Sequence, residues 1–270
     1  MIRTKITSFS TSEIFRRLLN NKSKTNYWRY IMELRKRKSS EIYNSAIELT
    51  KSSDKKEKII GINILAQFGN PRIHKNQTLR IYFNLLKEEN DIYVVSSILY
   101  AIGHNNEKLT ENQIDFICHY DSNKSSTVRR SLTFAVSAIE NKNAIHTLIK
   151  LSKDKDSEVR DWATFAIAAL ISNDNDAIRE ALWERVTDSD KEIQNEAIFG
   201  LATRKDTRIK EVLKKELETV DFNSSYTLEA IEVFNDKEFI TLLEDKIIKN
   251  KIERVIPEDW LISTLDHLKK

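Results

Sequence analysis

Four stretches of this chain align without gaps: Val94–Gly103 (VVSSILYAIG), Val128–Ile139 (VRRSLTFAVSAI), Val159–Leu170 (VRDWATFAIAAL) and Ile193–Ala202 (IQNEAIFGLA). Ile60 and Tyr226 begin two further copies, IGINILAQFG and YTLEAIEVF, so the starts at 60, 94, 128, 159, 193 and 226 are separated by 34, 34, 31, 34 and 33 residues. Self-similarity at such a period constrains the chain more than any motif, because a unit this small cannot bury its apolar face alone and is stable only against its neighbours.

Within each copy the first, fifth, eighth and ninth positions are mostly apolar or small, as in Val159, Ala163, Ala166 and Ile167, or Ile193, Ala197, Gly200 and Leu201. That spacing makes one stripe of a helix, and its small residues let a neighbouring helix approach closely. Second helices are predicted over 76–87, 110–120, 143–152, 176–186, 206–218 and 237–249, after polar turns, with N-caps at Asp156, Asp176, Asp190 and Asp206. Four Gly and two Pro in 270 residues leave few sheet or linker breakers, so the chain reads as all-α.

The tetratricopeptide and ankyrin signatures are absent. What the copies resemble is the short HEAT-like repeat family, in the subtype named after phycobilisome lyases. The resemblance rests on D-x-x-V-R-x-x-A-x-x-A-[IL], clearest at Asp156 to Ile167 and looser at Ser125 to Val136 and Asp190 to Leu201. It implies a right-handed α-solenoid of stacked antiparallel helical hairpins, with the second helices lining its concave face. The expected organisation is a basic helical cap over residues 1–53, six repeats over 54–250 and a capping helix over 251–270, forming one continuous solenoid.

Most members of that family are binding scaffolds; bilin lyases and alkylpurine DNA glycosylases are enzymatic exceptions. The residues offer little chemistry. His74, His104, His119, His146 and His267 are scattered, with no metal-binding spacing, and read as surface or cap residues. Cys118 excludes an intramolecular disulfide, being the single cysteine. It cannot form a dyad with its neighbour His119, because consecutive helical side chains diverge, so it reads as a core thiol. No metal, cofactor or catalytic residue is expected. The lack of a signal-peptide core or a long apolar run points to a cytoplasmic protein without membrane spans.

Charge is unevenly spread. Residues 1–58 hold 15 Lys or Arg against 6 Asp or Glu, whereas the remainder holds 29 against 35. Arg16, Arg17, Arg29, Arg35 and Arg37, with Trp28 among them, form a candidate patch for an anionic partner such as nucleic acid. A DNA glycosylase, with Asp161 beside Trp162 as its acid, is the alternative function that the resemblance allows.

Two tryptophans depart from the repeat. Trp162 is equivalent to Asn63, Ser97, Ser131, Glu196 and Glu229, all polar; Trp183 falls opposite Lys150 and Lys214. Tryptophan beside arginine is the composition of an interface hot spot. The expected function is therefore a non-catalytic scaffold that binds a protein on its concave surface, in one version an immunity or antitoxin protein masking a toxin. Trp183, Arg179 and Arg185 are the first expected contacts, and Trp162 and Arg160 the next.

Overall fold

The apolar stripes of the repeats become the core. In the computed structural model, which describes residues 6–270, Val128, Leu132, Ala135 and Val136 are buried, as are Val159, Ala163, Ala166 and Ile167, and Ile193, Ala197, Gly200 and Leu201. Each fully buried Val, Ile or Leu contributes roughly 1.5–3 kcal/mol. The described residues are all-helical, with no strand among them. Two compact units divide at Ala144 and Ile145.

The first unit holds α1 (Thr11–Leu19), α2 (Lys24–Arg37), α3 (Ser40–Thr50), α4 (Lys55–Ala66), α5 (Lys75–Leu86), α6 (Ile92–Gly103), α7 (Glu111–Cys118) and α8 (Ser126–Val136). The chain passes to the second unit within α9 (Lys142–Leu151). There follow α10 (Ser157–Phe165), α11 (Asp176–Trp183), α12 (Lys191–Thr203), α13 (Ile209–Glu218), α14 (Ser225–Phe234), α15 (Phe239–Glu253) and α16 (Glu258–Lys269). Every helix expected from the repeat spacing is present. A π turn, Ala166–Leu170, extends α10.

Within each unit the helices that carry the repeat stripe form the closely packed layer. In the first unit α4 lies against α6, and α6 against α8; in the second α10 lies against α12, α12 against α14, and α14 against α16. Small residues permit this approach. A Cβ added at Gly200 on α12 would stand 2.7 Å from the Cβ of Ala168 and 2.9 Å from its Cα, so the helix backbones nearly touch. In the second unit the α10–α12–α14 layer is the closely packed one, and α11 and α13 lie against it as hairpin neighbours.

The motif arginine has a structural task. Nη1 of Arg160 donates to the carbonyls of Asp154 (3.0 Å) and Lys155 (3.3 Å), closing the turn before its own helix. Arg129 does the same to Asn123 (2.7 Å) and Lys124 (3.2 Å). At the next copy Gln194 reaches the carbonyl of Asp188 at 2.5 Å, six residues back like the others. Arg160 also bridges forward, donating from Nε and Nη2 to the two carboxylate oxygens of Asp188, each at 3.0 Å. The carboxylate is held below its ordinary pKa: burial would raise it, but the bonds from Arg160 and the Asp190 N–H outweigh burial.

Caps follow the reading in part. Asp156 and Asp190 accept from backbone N–H groups at the starts of α10 and α12. Asn175 rather than Asp176 caps α11, and the Asp206 side chain turns to Arg208 ahead of α13. Cys118 is half-buried at the end of α7 rather than deep in the core, and the ring of His119 turns to the Asp115 carbonyl.

Candidate functional site

Because the stripe positions of α10, α12 and α14 point into the core, positions between them face out along that layer. Asp161, Trp162 and Phe165 of α10, Glu192, Asn195 and Glu196 of α12, and Tyr226 of α14 line a cleft of about 320 Å³. Trp162 is 41% exposed and Tyr226 46%, and Phe165 meets the edge of the Trp162 ring, with centroids 6.2 Å apart. The helices that carry these rings are packed side by side, α10 against α12 and α12 against α14.

The cleft is acidic. Partial burial, followed by the charges of Glu192 and Asp190, lifts Asp161 above the ordinary carboxylate range. Glu196 is raised likewise by burial and then by Asp161 and Glu192. None of Asp161, Glu192 and Glu196 forms an ion pair among the described residues. Several other carboxylates of the unit are paired: Asp188 with Arg160 and Arg185, Asp206 with Arg208, Glu216 with Lys191, Glu244 with Lys269.

Of the five residues expected from sequence to contact a partner, Trp162 alone lines this cleft. Trp183 is half-buried on α11, with the guanidinium of Arg208 5.0 Å above its ring. Arg179 pairs with Asp174 (2.6 Å) and donates to the carbonyl of Arg204. Arg185 and Arg160 converge on Asp188. All three arginines are engaged in holding turns together. Glu192, Glu196 and Tyr226 were not singled out from sequence, although the alignment already set Glu196 in register with Trp162.

The basic patch is similarly divided. Arg16 and Arg17 both pair with Glu13, and Arg37 donates to Glu33, Thr11 and the carbonyl of Phe9. Arg35 is drawn down to a pKa of about 10 by burial and donates twice to the carbonyl of Asn63. Trp28 and Arg29 are exposed on α2. A second cleft in this unit, about 690 Å³, is bordered by Arg35, Lys36, Arg72, His104 and Glu107. His104, expected at the surface, is instead part-buried beside Gln67, and burial followed by the charges of Arg35 and Arg72 lowers its pKa to about 4.

Among the described residues no group of His, Cys, Asp and Glu is placed to hold a metal ion, and no helix is long and apolar enough to cross a membrane. Stacked helical hairpins with an aromatic cleft on their tight layer define a helical-repeat scaffold. Residues 144–173 match the HEAT repeat family model, so the chain carries a HEAT repeat there. It is similar to protein YibA of Escherichia coli K12, and to that of strain O157:H7, at 38% identity over 149 residues, 54% of this chain and 50% of YibA. The chain thus matches about half the length of these curated relatives. The crystal structure of Escherichia coli YibA superposes with a TM-score of 0.77 at 27% identity, covering 98% of this chain and 94% of YibA. The matched repeat begins on α9 and ends after α10, which makes α10 the second helix of its hairpin. Trp162 thus stands on the second helix of the matched hairpin.

Proposed function

We propose that the chain is a non-catalytic cytoplasmic scaffold that binds a protein partner on the α10–α12–α14 layer. The observation that supports this reading is the cleft itself, in which Trp162 and Tyr226 stay exposed between rigidly packed helices. A preformed aromatic surface binds with little ordering cost, and buried aromatic anchors dominate interface energy. The unpaired carboxylates weigh against nucleic acid on this face, since they repel phosphates. They favour a basic protein surface. In the narrower form, the scaffold is an immunity protein: the substrate groove of a nucleic-acid-directed toxin is basic, and an acidic aromatic face is complementary to it.

Site-specific photocross-linking tests the face. A benzoylphenylalanine at Tyr226 is expected to give a discrete protein adduct in the native cell. The same group at Ile248, 63% exposed on α15, is expected to give none. Equal adducts at both positions, or none at Tyr226, would overturn the assignment.

A further inference from the structure

Resting on that reading of the α10–α12–α14 layer, we infer that the cleft receives an arginine side chain of the partner, its guanidinium stacked on Trp162 and its N–H groups turned to Asp161 and Glu196. Four observations converge. Three carboxylates, Asp161, Glu192 and Glu196, face one cleft, and none of them has an ion-pair partner among the described residues. Two exposed aromatic rings adjoin them. The volume, about 320 Å³, lies at the lower end of the roughly 300–1,000 Å³ of small-molecule pockets, a size suited to one long side chain rather than a cofactor. Finally, the donor set does not suit a metal ion.

A cation relieves what this cleft lacks. The raised pKa values of Asp161 and Glu196 record burial and mutual repulsion, and a positive group between them reverses the second cause. Both lysine and arginine carry the charge and are attracted to an indole face. Arginine fits better, because a planar guanidinium stacks on a ring while donating along its edge to carboxylates in pairs. Carboxylates crowded without counter-ions also lower stability, a cost accepted at binding sites.

The probes are N-acetylarginine amide, N-acetyllysine amide and N-acetylcitrulline amide, the last of nearly the same shape but uncharged. Each is titrated against the full chain while the tryptophan indole N–H resonances are followed by NMR, Trp162→Phe identifying the signal. The arginine probe is expected to shift the Trp162 resonance saturably in the millimolar range. The lysine probe is expected to bind several-fold more weakly, and the citrulline probe not at all. Asp161→Asn with Glu196→Gln is expected to weaken the arginine probe at least tenfold while melting no lower than the parent, since the change removes repulsion. Equal response to citrulline, tighter binding of lysine, absence of saturation by arginine, or unchanged affinity in the double variant overturns the inference. The photocross-link at Tyr226 separates the two readings: an adduct that survives the double substitution sinks the arginine site alone, whereas its absence from the parent chain sinks the binding face.

Discussion

Asp188→Asn probes the junction that the repeat motif builds. The Asp188 side chain is 4% exposed and accepts four bonds: two from Arg160 at 3.0 Å, one from Arg185 at 3.1 Å and one from the Asp190 N–H at 3.1 Å. Asparagine keeps one acceptor oxygen and turns an NH2 group toward a guanidinium. Two charge-assisted bonds are then lost, each contributing about 1.5–3 kcal/mol. Arg160 and Arg185 side chains are 13% and 19% exposed, so water replaces part of the loss. The net cost is about 3 kcal/mol, toward the low end of the ~3–5 kcal/mol for breaking a buried pair. For a chain of this size that lowers the melting midpoint by roughly 6–12 °C, measured by circular dichroism. The gap has a defined pH dependence. Because the folded pKa lies below the ordinary value of 3.8, the stabilisation is complete above that value and is lost as pH falls through the folded pKa. Parent and variant should differ equally at pH 7 and 5 and converge in stronger acid. A variant melting within about 2 °C of the parent at pH 7 would refute the junction role at this size scale.

Three further outcomes follow from the packing. Gly200→Ala sets helix propensity, worth about 1 kcal/mol in favour of alanine, against contact with Ala168; a net loss of about 1–2 kcal/mol is expected, largely restored by Ala168→Gly, and a stabilised single variant contradicts the close approach. His104 stays neutral in the fold down to about pH 4 whereas its ordinary value is 6.5, so stability is to fall as pH drops across that window; His104→Gln should flatten this part of a melting-versus-pH curve, and an unchanged slope removes the argument. Retention of duplex or single-stranded DNA on a filter at low salt is expected to be absent; salt-sensitive retention would revive the nucleic-acid reading.

Much of the fold was legible in the chain. The positions that recur at one, five, eight and nine define a stripe, and a stripe has one physical use, so every expected helix is present within a few residues. Trp162 was also legible as a departure from a polar norm. Trp183 was equally visible, yet Arg208 covers it, and nothing in the spacing of residues 183 and 208 announces that stacking. Arg160, Arg179 and Arg185 had hot-spot composition, but their acceptors are turn carbonyls and carboxylates brought near by the hairpin connections.

What the sequence by itself determined is the all-helical repeat, its core positions and the turn chemistry, because these depend on periodicity and on groups a few residues apart. Only tertiary structure decided which layer packs tightly. It also decided which charges are satisfied. Asp188 and Glu196 are both acidic residues of the second unit, but one meets two guanidinium groups and the other meets carboxylates and an indole. That difference arises from which helices and turns the packing brings together, and periodicity alone does not carry it.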